Sequence, residues 1–248
     1  MTQKTNVLSM LVHASAKVGK STLSSTAPHP VVVLDAEGSW RFIKVRKKYW
    51  DPLVEAPPIW DGTWDACIVQ VTTWQTIEMA YAHLVQSPHN FRSAVLDSIT
   101  EVQRRLKQNL KGTEAMFQQD WGVLLAKMDG LIRSFRDLTL LPNNTIECVV
   151  FVAETREFNG KWAPYMQGAM RDTLPYIVDI CGYLYPDFQP DENGQATQKV
   201  RRLFIGDHPQ FVTGERVQGV LGDVVTNANI DEMIKTIFEK VTIMEVTQ

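Results

Sequence analysis

The chain has 248 residues, 44% of them hydrophobic and 21% charged, with a formal net charge of -3. That length and apolar content can bury a substantial core without disulfide or metal staples, and they predict one domain over 1–248. The acidic balance excludes a global cationic field that would draw the molecule onto nucleic acid or an anionic membrane, so any nucleic-acid contact is expected to be local.

In chain order, the N-terminal "MTQKTN" lacks the apolar stretch of a signal peptide, and 6–13 reads as a buried strand. A polar turn follows, then a short helix over 20–25 and, past Pro28 and Pro30, a β-branched strand over 31–35. The segment "WRFIKVRKKYW" places Trp40, Ile43 and Tyr49 on an approximate helical stripe. A turn-rich connection over 51–64 leads to a strand over 67–71 and a helix over 73–86 capped by Thr72 or Thr73. The apolar run 93–96 is a strand ending at Asp97-Ser98, and the strongest helix covers 119–138, where Trp121, Leu124, Leu125, Met128, Leu131, Ile132, Phe135 and Leu138 share one face. A strand over 146–153 precedes about twenty residues of weak periodicity, 154–174, expected to be partly a functional loop. Strands over 176–185 and 199–205, joined by "PDFQPDENGQATQ", form a hairpin, and 231–240 is an amphipathic helix.

Cys67, Cys148 and Cys181 are widely spaced in apolar contexts and read as reduced core residues; neither they nor His13, His29, His83, His89 and His208 show metal-ligand spacing. No apolar run reaches bilayer length, so a soluble, cytoplasmic protein without membrane association is expected. The alternation of strands and helices, with a late hairpin, predicts an α/β fold: a mostly parallel sheet flanked by helices, with antiparallel strands at one edge.

The chemistry is concentrated in the turn after the first strand. Ala14, Ser15, Ala16, Lys17, Val18, Gly19, Lys20, Ser21 and Thr22 fit the P-loop pattern, with Ala14 standing where the first glycine is usual. Such a turn aims backbone N-H groups at phosphate oxygens. Gly19 permits close approach, Lys20 reaches the β- and γ-phosphates, and Ser21 ligands Mg²⁺. A second strand ending in a carboxylate should stand beside the ion, and "AVLDSIT" supplies Asp97, with Ser98 and Thr100 as helix caps; Asp97 alone could also be read as a cap. Hydrolysis needs a base for the attacking water. "VLDAEGSW" offers Asp35 and Glu37, and Glu37 is the choice because it lies beyond the strand end, although either could cap a helix starting near Ser39.

Together "HASAKVGKST", "VVVLDAEGSW", "AVLDSIT", "LPYIVDICGYL" and "VTGERVQGVLGDVV" make the chain resemble the RecA-like P-loop ATPases, most closely the phage-encoded, AAA-type recombination and annealing ATPases. The resemblance covers about 6–240. It implies a RecA-like core with ATP and Mg²⁺ as cofactors, the host cell cytoplasm as location, and a homo-oligomeric ring or filament acting on single-stranded DNA, with a phage single-strand binding protein as a further partner. It matches Glu37 to the catalytic glutamate and Glu154 to a γ-phosphate sensor that is polar in the family. An acid there would be repelled by a triphosphate unless it pairs with Arg156 or a metal, or unless the sensor has moved. It also casts Arg216 as a finger reaching a neighbour's nucleotide; a salt bridge to Glu215 or Asp223 is the plainer alternative.

Two clusters mix cations with other DNA-contacting side chains. After Glu154 come Arg156, Phe158, Lys161, Trp162, Tyr165 and Arg171, a combination that grips phosphates and stacks bases without reading sequence. Arg104, Arg105, Lys107 and Lys111 form the second, and an ordinary solvated face is the alternative for both. Two other functions fit the P-loop: a small-molecule kinase, which would need an arginine-rich lid that the sequence lacks, and a non-hydrolysing, nucleotide-gated module or loader for replication partners.

Overall fold

A computed structural model of the chain describes residues 6–190 and 196–246. Its centre is a sheet whose parallel portion runs in the order β1 (Leu8–Ala14), β6 (Cys148–Phe158), β5 (Ser93–Asp97), β2 (Val31–Asp35), β4 (Ala66–Gln70) and β3 (Lys47–Tyr49). On the other side of β1 lies β8 (Ile180–Pro190), also parallel to it, followed by the antiparallel strands β9 (Ala196–Phe204) and β11 (Val224–Thr226). Two short strands sit off this path: β7 (Lys161–Pro164) returns on β6, and β10 (Gly214–Glu215) pairs with β8. The mostly parallel α/β architecture with an antiparallel hairpin is thus present. The tip of that hairpin, 191–195, lies outside the described residues.

Both faces of the sheet are covered, which is why β1, β2 and β5 read as unbroken apolar runs. Along β1 the pleat sends Leu8, Met10, Val12 and Ala14 into one core with α1 (Lys20–Ser24) and α6 (Ile230–Val246). Leu11 faces the opposite core, with α2 (Trp74–Gln86), α3 (Ile99–Lys111), α4 (Gln118–Asp137) and α5 (Met170–Ile177). On α4 the expected stripe is core: Leu124, Met128, Leu131, Ile132 and Phe135 are buried, while Trp121 and Leu125 are partly so. Thr73 caps α2 by accepting from Thr76 N at 3.3 Å, and Ser98 caps α3 by accepting from Glu101 N at 3.2 Å. Thr100 does not cap. Its hydroxyl donates to Tyr165 O and accepts from Glu154 N, tying α3 to β6.

Three expected elements differ. Residues 40–49 are not a helix: Trp40–Phe42 makes a single 3-10 turn and Lys47–Tyr49 forms the edge strand β3, because Trp40 is drawn into the core beneath the turn while its neighbours stay outside. Residues 154–174 hold less loop than expected, with 165–169 lying between strand and helix. β6 runs on to Phe158, Asn159 and Gly160 turn at φ 50° and 78°, and β7 returns, followed by α5. Residues 176 and 177 complete α5, so the next strand starts only at Ile180. All three cysteines are free and buried, with burial pushing the Cys67 and Cys181 thiols up to about 12. Among the described residues no helix is long and apolar enough to cross a membrane.

Candidate nucleotide site

The parallel strands all deliver their C-terminal ends to one edge of the sheet, and the functional side chains gather there. Ala14 ends β1 opposite Glu154 of β6. It is buried and in strand pairing, so its Cβ is accommodated where the usual motif has glycine. Beyond it, Lys17 and Gly19 take left-handed φ of 62° and 114° while Ala16 and Val18 do not. Alternation of that kind turns successive N-H groups toward one side and makes an anion-binding concavity. Since α1 has only five residues, these loop amides rather than a helix dipole carry the attraction. Ser15, Ala16, Lys17 and Thr22 are exposed, and Val18, Gly19, Lys20 and Ser21 half-buried. Lys20 Nζ folds back to donate to Ala14 O at 3.2 Å and Ser15 O at 3.1 Å.

Three carboxylates converge on this lysine. Burial lowers the Lys20 ammonium below the ordinary lysine value, and the charges of Glu37, Asp97 and Glu154 act in the opposite direction. Asp97 ends β5 and is 1% exposed; its Oδ2 accepts from Ser21 Oγ at 2.6 Å and from Trp40 Nε1 at 2.8 Å. Burial pushes its carboxyl up to about 6, against the hydrogen bonds from Ser21 and Trp40, with Glu37 and Asp35 adding to the rise. A buried carboxylate paired with a hydroxyl is a hard oxygen donor set of the kind Mg²⁺ takes alongside phosphate oxygens. Among the described residues no group of three or more His, Cys, Asp or Glu is placed to hold a metal unaided. The set therefore fits an ion that arrives with a nucleotide.

The two carboxylates after β2 divide their work. Asp35 accepts from Gly38 N at 2.8 Å, Ser39 N at 3.2 Å and Trp40 N at 3.1 Å, so it shapes the turn. Glu37 stands on that turn, exposed, and accepts from Ser98 Oγ at 2.5 Å. The capping alternative thus belongs to Asp35, while the charge of Glu37 acts on Lys20 and Asp97.

Glu154 corrects one expectation. Its partner is Arg104 on α3 rather than Arg156, in a bidentate pair of 2.7 and 2.8 Å. Arg104 also reaches Glu101 at 3.2 Å, and its guanidinium is held above its usual value chiefly by the Glu154 bond. An acid beside a triphosphate is thereby neutralised within the chain. Arg104→Ala should weaken ATP binding by about tenfold, and Glu154→Gln in the same chain should restore most of it, a coupling that calorimetric titration of the double-variant cycle measures.

A family model described as an AAA domain matches residues 6–217, which span the loop, Glu37, Asp97 and Glu154. The chain belongs to the AAA domain family. A search of curated proteins returns no match. Nucleotide binding and P-loop ATPase chemistry follow from that membership, in agreement with the Lys20, Ser21 and Asp97 geometry.

Elsewhere the AAA domain occupies many of the cations assigned to nucleic acid. Arg104 pairs with Glu154, Arg105 donates to Ala36 O and Thr72 O, Lys107 lies over Trp121, and Lys111 pairs with Asp120 at 3.0 Å. On the β6–β7 hairpin, Phe158 and Tyr165 stack 6.3 Å apart, covered by Arg171 and Arg156 at 4.4 and 4.2 Å from the rings. Arg171 further pairs with Asp172. Lys161 is exposed and Trp162 is 37% exposed. Arg216 donates to Tyr176 O and lies 3.7 Å from Asp179, which in turn binds Ser9. Ser9 is five residues before Ala14, about 17 Å along a strand, so Arg216 is at the far end of the sheet from its own P-loop. Its partner is Asp179 rather than Glu215 or Asp223.

Two residues near the AAA domain's loop went unassigned in the sequence. Arg201 of β9 donates from Nε to Val18 O at 2.8 Å, a contact between positions 183 residues apart that no local pattern signals. His13, directly before Ala14, is fully buried; its Nε2-H donates to Val212 O at 2.9 Å, and its Nδ1 lies 3.1 Å from Thr155 Oγ1, whose hydroxyl is shared with Ala163 O. Burial lowers its pKa to about 4. The unfolded chain therefore binds a proton that the folded one refuses between pH 6.5 and 4. The stability tied to neutral His13 is complete above pH 6.5 and is lost as pH falls toward 4, by roughly 3 kcal/mol. Urea unfolding of His13→Gln beside the parent should show that part of the acid sensitivity disappear.

Proposed function

We propose that this AAA domain binds ATP with Mg²⁺ at the loop 14–22, hydrolyses it slowly, self-associates, and acts on single-stranded DNA in phage recombination or strand annealing. The carrying observation is the 2.6 Å bond from Ser21 Oγ to Asp97 Oδ2, with the charges of Asp97 and Glu37 both acting on Lys20. In this reading the loop amides and Lys20 bind the β- and γ-phosphates, and Ser21 and Asp97 hold the ion. When bound, Mg²⁺ supplies charge neutralisation to the transferring phosphoryl group. Glu37 positions the attacking water and takes its proton at Oε2, while Ser98 fixes the carboxylate through Oε1.

The DNA assignment rests on the hairpin that continues β6 beyond Glu154. Lys161 and Trp162 stand exposed there, a cation and a ring on successive residues of β7, while Arg171 and Arg156 cover the Phe158 and Tyr165 rings. The chain's net charge of -3 makes this a local contact, sensitive to salt. Measuring phosphate release with and without single-stranded DNA tests the reading, together with micrographs under ATP. Stimulated turnover that falls in Trp162→Ala, and rings or filaments, are expected. Turnover indifferent to DNA with dispersed particles would overturn the DNA half, and no turnover at all would favour a non-hydrolysing module.

A further inference from the structure

We infer that the open edge of β3 is a docking surface for an extended, acidic segment of another protein, which adds to the sheet as one more strand. The surface stands apart from the P-loop and from the β6–β7 hairpin, because β3 ends the sheet beyond β2 and β4. It does not rest on the nucleotide reading.

Only one side of the β3 backbone is paired. Arg46 O accepts from Ala66 N at 3.1 Å and Trp50 N donates to Ile68 O at 3.0 Å. The alternation of a strand therefore turns the main-chain groups of Lys48 toward β4 and those of Lys47 and Tyr49 away from it. Among the described residues no strand pairs with that outer side, and no hydrogen bond engages the outward N-H or C=O of Lys47 or Tyr49. Such an edge is a template for a further strand.

Charge names the partner. From Arg41 to Trp50 the chain carries Arg41, Lys44, Arg46, Lys47 and Lys48 and no acid, although its net charge is -3. Arg46 is paired with Asp65 at 2.6 Å and Lys47 Nζ donates to Ile43 O, so both are occupied within the fold. Lys44 and Lys48 are exposed and, among the described residues, make no hydrogen bond or ion pair; Arg41 lies over the Phe42 ring at 4.8 Å. Lysines on an open edge ordinarily keep other strands away, but these flank exposed apolar surface: Phe42 is 76% exposed, Tyr49 54% and Val54 81%. Carboxylates on the incoming strand would turn that repulsion into attraction, and apolar residues between them would cover the rings. A nucleic acid would meet the same cations and rings. The outward C=O groups of Lys47 and Tyr49, however, need N-H donors at the strand repeat, which a peptide backbone carries and a phosphodiester backbone lacks.

Fluorescence anisotropy of the full chain with labelled hexapeptides tests this. A peptide alternating Glu and Val is expected to bind. Its counterpart alternating Lys and Val, and the acidic peptide N-methylated at every amide, should each bind at least about tenfold more weakly, the first for charge and the second for lost backbone bonds. The double variant Lys44→Glu, Lys48→Glu should lose about tenfold for the acidic peptide and keep its affinity for ATP. Hydrogen exchange at the amides of Lys47 and Tyr49 should slow when the peptide is bound. No binding at about millimolar peptide, the weak end of the affinity scale, would overturn the inference and leave a blunted edge. Equal binding of the N-methylated peptide would overturn it too, since charge alone would then hold the ligand. If the double variant instead loses oligo-dT binding, the patch is a nucleic-acid surface; if it loses self-association in sedimentation, the patch is a contact between copies. Either result contradicts the inference.

Discussion

Lys20→Ala should abolish measurable ATP binding and turnover, with affinity falling by at least about 100-fold, the scale of losing a charged donor aimed at a phosphoryl group. The charges of Glu37, Asp97 and Glu154 all act upon this ammonium. Without it, Glu37 and Asp97 would lose that counter-charge, Glu154 keeping its pair with Arg104, so the loss exceeds that of one hydrogen bond. Fold stability should scarcely move, because the lysine contributes only its bonds to Ala14 O and Ser15 O and is held there against the cost of burial. Calorimetric titration with ATP and Mg²⁺, paired with a thermal melt, checks both statements. Retained binding in a folded Lys20→Ala protein would count against the P-loop.

Glu37→Gln is expected to separate binding from chemistry. Amide replaces carboxylate at nearly constant volume and keeps an oxygen to accept from Ser98 Oγ, so the turn held by Asp35 stays in place. What disappears is the base, a loss of about 10²–10⁴-fold in kcat for a general base. ATP affinity should hold or rise slightly, since one negative charge near Lys20 has been removed. Single-turnover phosphate release beside equilibrium binding gives the two numbers. Unchanged turnover in Glu37→Gln would transfer the base to another residue or favour a module that does not hydrolyse.

Much of this architecture could be read from residues alone because its signals are local. Buried parallel strands announce themselves as apolar runs, the α4 stripe as a 3.6-residue period, and the loop as a motif between strand and helix. Glu37 and Asp97 were legible for the same reason, each following a strand end by two residues or none. The β6–β7 hairpin was also marked, by Asn159-Gly160 between strand-like residues, yet the weak periodicity around it favoured a loop. What could not be read were partnerships across the chain. Arg104 and Glu154 are 50 positions apart, and Arg201 and Val18 are 183 apart. Nothing near Arg104 in sequence distinguishes it from Lys107, which lies over a ring, or from Arg105, which caps two carbonyls. The 3-10 turn at Trp40–Phe42 was missed because Trp40 is committed to Asp97, a tertiary contact that overrides the helical spacing of its neighbours.

A crystal structure of the protein with Mg²⁺ and a non-hydrolysable ATP analogue tests the central claim most directly. The account predicts phosphate oxygens within hydrogen-bond reach of the main-chain N-H groups of 15–22, Lys20 Nζ moved from Ala14 O and Ser15 O onto the β- and γ-phosphates, and the ion between Ser21 and Asp97. An analogue bound elsewhere, with Lys20 still on its two carbonyls and the Ser21 to Asp97 bond intact, would contradict it.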